Sequence, residues 1–419
     1  MVRVSLAALI AASLLTAAET DSTSSDWATF RGPNRDNLSP DKSLLKEWKE
    51  TPKLLWTGED CGIGYSSVSV AGPRIFTMGD NDGKAHVIAL DRKTGKKLWK
   101  TAIGGECRQK NKDWRGSRST PTVDGSLVYS VGPQGDLVAL KVEDGSVAWK
   151  KNFKTDFGGT HGSWEYSESP LVDGDNLLAT PGGKDATIVC LDKKTGNLVW
   201  KSSIGGQAGY SSIVIGNAGN VKQYVTLLAG GTVGVDAKTG KLLWQYSKLS
   251  PNTANIPTPI VKGDQVFTLA GYGKAAALLT LSKKDDGTFD VKEEYYNTAM
   301  KNKHGGAVIV GDLVFADTDS NGQVYCAKWK TGEVLDSWKK KTTKGRGSAS
   351  LTYADGHLYI RYTNGVMSLV PATADGYKEV GSFQIPPSGR SSWAHPVVID
   401  GKLFIREDDK LYCHDLKAN

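Results

Sequence analysis

A phrase that recurs along the chain constrains the fold more than any other sequence feature. Apolar residues alternate up to a turn of the form Asp-x-x-Thr-Gly, and a tryptophan stands four residues after the glycine. The phrase is clearest in residues 89–99, where Asp91 and Gly95 mark the turn and Trp99 is the aromatic residue. Alternation on both sides of an Asp and Gly turn is typical of a β-hairpin. Further copies occupy residues 139–149, 190–200 and 234–244, and looser copies end at Tyr295, Trp338 and Phe383.

A second hairpin precedes each copy. It is clear in residues 121–129, with its own turn at Asp124 and Gly125, and it recurs in residues 170–178, 259–267 and 397–404. Two hairpins form a four-stranded antiparallel sheet, and the tryptophans repeat every 43 to 51 residues, close to the ~40–50 residues of a propeller blade. Such a sheet buries its faces only against neighbouring sheets, so we expect the tryptophan to lie between blades.

The two ends of the chain predict how the ring closes. Residues 53–56 (KLLW) repeat residues 241–244, an outermost strand, but lack inner partners, whereas the last copy, residues 395–416, stops after its third strand. The two fragments together make one blade, and seven full copies bring the number to eight. The sequence therefore predicts an all-β, eight-bladed β-propeller with four antiparallel strands per blade, closed by an N-terminal strand that completes the last blade and leaves no edge open.

The first residues have the pattern of a secretory signal peptide. Arg3 precedes an apolar run over residues 4–15, which is too short to span a bilayer, and small residues occupy positions 16–18. We expect a signal peptide at residues 1–18, an N-terminal extension at 19–50 and the propeller domain at 51–419. The protein is then periplasmic or secreted, without a lipid anchor, because no cysteine stands at the cleavage point.

The charge distribution and the hydropathy of the chain indicate which classes of partner it binds. The formal net charge is +7, and the lysines are scattered among turns such as residues 91–97. This distribution indicates a solvated surface, with no nucleic-acid partner. No later segment approaches the ~18 apolar residues of a transmembrane helix. We expect a monomer.

The positions of the five cysteines in the sequence indicate that they are packed core residues rather than reactive or metal-binding ones. The chain contains no CxxC motif and no adjacent cysteine pair, which argues against metal and haem sites. Cys190, Cys326 and Cys413 occupy the repeat position of Ala89, Ala139 and Gly234, a position for small core residues. Cys61 and Cys107 lie outside this register, and the sequence leaves open whether they form a disulfide.

The segments that lead into the innermost strands meet at one mouth of a propeller channel, where a ligand site would assemble. They are rich in histidine, arginine and aromatic residues, which predicts a polar funnel lined by aromatic rings. It suits an anionic or sugar-like small molecule or an extended peptide, although any propeller mouth is wet and therefore polar. The candidate ligand-binding residues are Tyr65, Arg115, Arg118, His161, Trp164, Glu168, Tyr210, Asn255, His304, Arg346, Trp393 and His395.

No catalytic or metal-binding residue is assigned. The motifs of nucleophilic hydrolases, zinc proteases, phosphate-binding loops and EF-hands are absent from the sequence. His161 near Glu165 and Glu168 suggests either a proton-transfer pair or a structural hydrogen bond.

The phrase at residues 89–99 and its copies resemble the tryptophan-docking repeat of the quinoprotein (PQQ-like) propeller superfamily, over residues 53–416. Within that superfamily, the single-domain size and eight blades are similar to the outer-membrane assembly factor BamB. Residues 27–35 (WATFRGPNR), with the segments 209–212 (GYSS) and 304–306 (HGG), resemble PQQ-like repeat proteins of planctomycete-type bacteria.

The resemblance implies two functions. One is a non-enzymatic binding or scaffolding module of the periplasm or cell envelope, with an envelope protein or peptide, or a small polar ligand in the channel mouth, as its partner and without a cofactor. The alternative is a quinoprotein oxidoreductase that uses PQQ with calcium on an alcohol or sugar. The adjacent cysteines of the quinoprotein alcohol dehydrogenases and the lipidated cysteine of BamB-like proteins have no counterpart in this sequence.

Overall fold

A computed structural model describes residues 26–250, 253–318, 322–339 and 343–418. The expected signal peptide lies outside these residues. Within them the chain forms 31 strands, one short helix α1 (Phe153–Phe157) and 3-10 turns at Lys112–Trp114, Ala218–Asn220 and Asp336–Trp338. No helix in these ranges is long and apolar enough to cross a membrane.

The strands form eight antiparallel sheets, numbered here as blades I to VIII. Blade I contains β2 (Ser69–Ala71), β3 (Arg74–Asn81), β4 (Lys84–Asp91) and β5 (Lys97–Gly105). Blade II contains β6 (Thr122–Asp124), β7 (Leu127–Val131), β8 (Asp136–Lys141) and β9 (Val147–Asn152). Blade III contains β10 (Leu171–Asp173), β11 (Asn176–Ala179), β12 (Ile188–Asp192) and β13 (Leu198–Ser202). Blade IV contains β14 (Val214–Gly216), β15 (Gln223–Leu228), β16 (Gly231–Asp236) and β17 (Leu242–Tyr246).

The second half of the chain repeats this plan. Blade V contains β18 (Ile260–Lys262), β19 (Gln265–Leu269), β20 (Ala276–Lys283) and β21 (Phe289–Asn297). Blade VI contains β22 (Ala307–Val310), β23 (Leu313–Asp317) and β24 (Val324–Lys328). Blade VII contains β25 (Ala349–Ala354), β26 (His357–Tyr362), β27 (Val366–Pro371) and β28 (Gly381–Gln384). Blade VIII contains β29 (Val397–Ile399), β30 (Lys402–Glu407), β31 (Lys410–Asp415) and, from the other end of the chain, β1 (Leu54–Gly58).

The predicted eight-bladed propeller and its closure are confirmed. Strand β1 pairs antiparallel with β31, with Trp56 opposite Cys413 and Thr57 opposite Tyr412. Blade VI departs from the pattern, because its fourth strand is reduced to one bridge between Ala327 and Val334 within the described residues.

The clear copies of the repeated phrase form outer hairpins in the predicted way. In blade I, Asp91 Oδ1 accepts hydrogen bonds from the backbone N–H (2.8 Å) and hydroxyl (2.6 Å) of Thr94. Gly95 adopts a φ of +70° and donates its N–H to the Asp91 carbonyl. Asp192 and Asp236 repeat these bonds, which explains the Asp-x-x-Thr-Gly spacing.

The outer-strand tryptophans join neighbouring blades, as predicted. Trp149 of blade II donates its Nε1–H to the Lys193 carbonyl of blade III at 2.9 Å, and Trp99 and Trp200 bond Val142 and Ala237 of the next blades in the same way. The buried core around Trp149 also contains Leu177 of blade III. The apolar cores therefore lie between blades.

Adding a methyl group at one blade junction tests the tryptophan contact. Gly196 has a φ of +71°, and a Cβ atom there would lie 2.8 Å from the Trp149 ring. Gly174 has a φ of +60°, and a Cβ atom there would meet no atom within 4 Å. We expect Gly174→Ala to cost about 1 kcal/mol of unfolding free energy through backbone strain, and Gly196→Ala about 1–3 kcal/mol more through overpacking. Equal losses in urea denaturation would contradict the wedge role of Trp149.

The cysteines lie where the repeat places them. Cys190 stands opposite Leu178 and Trp200, and Cys413 opposite Phe404 and Trp56. All five cysteines are buried free thiols, so the structure contains no disulfide between Cys61 and Cys107.

The N-terminal extension packs on the propeller from residue 26 onward. Trp27 forms a bridge with Val70 of blade I, and Leu38 forms one with Tyr353 of blade VII. Trp48 then reaches Gly381 at the outer edge of blade VII. Between Trp27 and Leu38 the extension crosses the channel, and residues 27–38 are called the plug below.

Candidate binding site

The plug is fixed by hydrogen bonds from its side chains to the innermost part of the ring. Arg35 Nη1 donates to the carbonyls of Ser169 (2.9 Å) and Ile213 (3.0 Å), which lead into blades III and IV. Arg35 Nη2 donates to the Pro170 carbonyl and to Thr29 Oγ1. One guanidinium thus joins two blades to the plug itself.

Other plug residues reach the opposite side of the ring. Arg31 Nη2 donates to the Ala307 carbonyl of blade VI at 2.6 Å. Asn37 Nδ2 donates to the Leu351 carbonyl of blade VII at 2.9 Å. Because these contacts lie across the channel from those of Arg35, the plug closes the channel.

A cavity of about 570 Å³, called the cup below, lies on one side of the plug. Its floor includes Phe30 and Arg31 of the plug. A second cavity of about 530 Å³ lies against plug residues Pro33 to Asp36, so the plug separates the two. Seven of the residues predicted from the sequence line the cup: Tyr65, Arg118, Trp164, Tyr210, His304, Trp393 and His395.

Aromatic rings form much of the cup wall. The rings of Tyr65 and His304 lie 4.8 Å and 5.0 Å from the Trp393 ring, centroid to centroid. Trp164 and Tyr210 form a second pair at 6.1 Å. Such walls offer flat apolar faces to the rings of a ligand.

The charged residues that line the cup are all cationic. Arg118 lies over the Tyr65 ring at 5.6 Å, and Lys303 lies over the Tyr272 ring at 5.4 Å. Arg31 supplies a third cation at the floor, and no Asp or Glu is among the described residues that line the cup. The cup therefore favours an anionic ligand.

His395 is a neutral structural residue of the floor. Asn37 Nδ2 lies 3.0 Å from His395 Nδ1, and an amide nitrogen only donates, so Nδ1 is the acceptor and Nε2 carries the ring proton. Nε2–H faces the His304 carbonyl at 3.4 Å. Burial lowers the pKa of His395 to about 3, which keeps the ring neutral.

His304 is the more accessible histidine of the cup. Burial lowers its pKa to about 4, with a smaller contribution from the charge of Lys303, so its ring is neutral near pH 7. The ring packs on Trp393 and makes no hydrogen bond to another described residue. A neutral imidazole offers a ligand one donor and one acceptor.

Of the two alternatives for His161 with Glu165 and Glu168, the contacts of these residues favour structural hydrogen bonds. His161 Nδ1–H donates to the Gly162 carbonyl at 2.7 Å. Glu168 is buried and accepts hydrogen bonds from the backbone N–H and hydroxyl of Thr180. Burial raises the pKa of Glu168 to about 7. The structural hydrogen bonds, rather than proton transfer, account for both residues.

The other three predicted residues also lie outside the cup lining. Asn255 is buried and donates to the Leu228 carbonyl. Arg115 is exposed and donates to the Gln109 carbonyl, whereas Arg346 is exposed and bonds the carbonyls of its own turn. Each of the three therefore supports a loop of the mouth.

The contribution of the plug to the cup was not predicted from the sequence. Residues 27–35 contained a sequence signal for a tight turn, because two arginines flank the tripeptide Gly-Pro-Asn. In the structure these arginines, Arg31 and Arg35, adopt φ values of +66° and +56°. Trp114, Tyr272 and Lys303 also line the cup. They lie in or beside the mouth loops, whose conformation no repeat pattern specifies.

Comparisons with known proteins agree with the fold and the repeat. A family model described as "Outer membrane protein assembly factor BamB" matches residues 83–340. BamB of Yersinia pestis is 25% identical over 85% of this chain and 86% of its own.

Two further comparisons involve enzymes. Tetrathionate hydrolase of Acidithiobacillus ferrooxidans is 25% identical over 85% of this chain, which spans 65% of the length of that hydrolase. The solved quinohemoprotein alcohol dehydrogenase ADHIIG of Pseudomonas putida HK5 superimposes with a TM-score of 0.61 over 94% of this chain and 81% of its own, at 13% identity. The latter likeness is one of fold.

Proposed function

The chain belongs to the family of the outer membrane protein assembly factor BamB, and on that premise we propose that it is an exported, non-enzymatic binding module of the cell envelope. The observation that carries the proposal is the cup: the plug closes it below, and its described lining has aromatic rings and three cations but no carboxylate. Its volume of about 570 Å³ falls within the ~300–1,000 Å³ of ligand pockets.

The chemistry of the lining supports binding rather than turnover. General acid or base catalysis works best with a pKa near the working pH. The two cup histidines have pKa values lowered to about 4 and about 3, and His395 uses both ring nitrogens in hydrogen bonds. Glu168, whose pKa is about 7, lies outside the lining and bonds Thr180.

The alternative of a PQQ-dependent oxidoreductase acting on an alcohol or sugar draws support from quinoprotein relatives. The ADH-IIG sequence of Pseudomonas putida is 28% identical over 38% of this chain. A flat acid such as PQQ suits the cup walls. Its calcium ion does not fit the part of the lining that the structure describes, because calcium prefers several carboxylate and carbonyl oxygens and these residues include no carboxylate. The binding module therefore remains the proposed function.

Export and domain limits are part of the proposal. We place the signal peptide at residues 1–18 and the mature protein, a periplasmic or secreted monomer, from residue 19. The plug and the rest of residues 26–50 pack on the propeller, which suggests that the extension and residues 51–419 function as one unit.

A photoreactive residue in the cup tests the proposal in living cells. A benzophenone amino acid at Trp164, in the cup wall, should give an adduct of one recurring mass after irradiation. The control position is Val199, which is 56% exposed on the outer strand β13. Intact mass spectrometry reports both a small ligand and a protein partner, and it also gives the mature N-terminus. No adduct at position 164, or the same adducts at both positions, would refute the use of the cup as the binding site.

A further inference from the structure

Arg31 is a buried cation that forms no close ion pair with another described residue. Its side chain is almost fully buried, with 2% of the residue exposed. Nε donates to the Arg35 carbonyl at 3.0 Å and Nη2 to the Ala307 carbonyl at 2.6 Å, and both acceptors are neutral. No salt bridge within 4.0 Å joins it to a described Asp or Glu, and the carboxylate of Asp36 acts on it only at longer range. Burial lowers the pKa of Arg31 to about 10, so the side chain remains charged at neutral pH.

The remaining nitrogen of Arg31 is Nη1, and it lies beside a residue of the cup lining. It makes no hydrogen bond to a described residue. It lies against Gly306, which also lines the cup, and a Cβ atom on Gly306 would overlap it. Gly306 has a φ of +68°, so its backbone disfavours a larger residue. The glycine thereby lets the guanidinium lie directly against the backbone of the cup lining.

A buried charge with an unused N–H is costly unless a ligand completes it. Guanidinium groups bind carboxylate, sulfate and phosphate oxygens with short, charge-assisted hydrogen bonds. Lys303 and the neutral ring of His304 also line the cup, and they add a second cation and another donor. The ring of Trp393, 5.0 Å from His304, offers a flat face beside this group.

We propose that the floor of the cup is an oxyanion-binding subsite, in which Arg31 Nη1 binds an anionic group of a small ligand whose ring lies against Trp393. The ligand class is a ring-bearing acid, with either a sugar or an aromatic ring. This inference rests on the proposed use of the cup as a binding site, and it adds the chemistry of the ligand.

Isothermal titration of the purified protein with matched probes tests the subsite. The two pairs are glucuronate against glucose, and 2-naphthoate against 2-naphthol, so that each acid is compared with a neutral molecule of the same ring. In at least one pair the acid should bind about tenfold or more tightly than its neutral partner, as expected for a charge-assisted hydrogen bond. The pair that shows the preference identifies the ring. Added sodium sulfate should compete with the acid.

Three variants test which residues produce the preference for the acid over its neutral partner. Arg31→Met should abolish the preference for the acid, whereas Arg346→Met, at an exposed arginine outside the lining, should leave it unchanged. The Lys303 side chain lies over the ring of Tyr272, another residue of the cup lining, so Lys303→Gln should keep the fold. It should weaken acid binding about threefold or more. Lys303→Gln carries the test if Arg31→Met does not melt cooperatively.

Each unfavourable result has a separate meaning. Equal affinity for acid and neutral probes, or no binding of any probe, overturns the subsite. A preference for the acid that survives both Arg31→Met and Lys303→Gln also overturns it. The proposed binding function is judged independently by the photoadduct at position 164, so failure of the subsite does not decide that experiment.

Discussion

Replacing β1 (Leu54–Gly58, sequence LLWTG) by a Gly-Ser segment of equal length should abolish cooperative thermal unfolding and cause aggregation. Strand β1 pairs with β31 of the last blade, and its Trp56 packs on Gly95 of the first blade. It therefore covers the outer edge of blade VIII and wedges the junction between the two ends of the chain. Loss of a fully buried tryptophan costs about 3–5 kcal/mol, and Trp56 is partly buried, so its own share of the loss is smaller. An uncovered edge strand also recruits other chains.

The same replacement in β13 (Leu198–Ser202, sequence LVWKS) is the control. It removes an outer strand whose Trp200 wedges blades III and IV in the same way. Those blades are consecutive in the chain, so the ring stays closed. We expect a lower melting temperature but one sharp transition and a monomer by size-exclusion chromatography. Similar behaviour of the two variants would show that β1 has no special role in closure.

The propeller could be predicted from the sequence because the interactions that form each hairpin are local and recur from one repeat to the next. Asp91, Thr94 and Gly95 form a turn by bonds within five residues, and the position of Trp99 follows from the turn by alternation. Closure needed one long-range inference, and the likeness between residues 53–56 and 241–244 supplied it. Blade VI deviated because its phrase delays the aromatic residue, and Trp338 lies in a 3-10 turn. It still bonds the Thr373 carbonyl of blade VII.

The candidate site could be predicted only in part. Position in the repeat places Tyr65, Trp164 and Trp393 at the channel mouth, and all three line the cup. It does not determine where a side chain points within a mouth loop, and Asn255 turns away to bond Leu228. The plug has no repeat partner, so the repeat did not predict that Arg31 would form the floor.

Arg35→Met should lower the free energy of unfolding by about 3 kcal/mol or more. The Arg35 guanidinium is 3% exposed and donates to the carbonyls of Ser169, Pro170 and Ile213. Methionine preserves much of the volume but leaves these carbonyls without a donor, and each unsatisfied buried polar group costs about 1–3 kcal/mol. Removing the charge offsets part of the loss, since burial lowers the pKa of Arg35 to about 9 and its desolvation is unfavourable.

Arg346→Met is the matched control in urea denaturation. Arg346 is exposed and bonds the carbonyls of Thr343 and Gly345 in its own turn, so its replacement should change the free energy by no more than about 0.5 kcal/mol. Limited proteolysis separates local from global effects. If Arg35 anchors the plug, Arg35→Met should expose residues 27–38 to cleavage below the melting transition, and the cup should lose its floor. Equal stability and equal protease resistance of the two variants would show that the backbone contacts of the plug suffice to hold it in the channel.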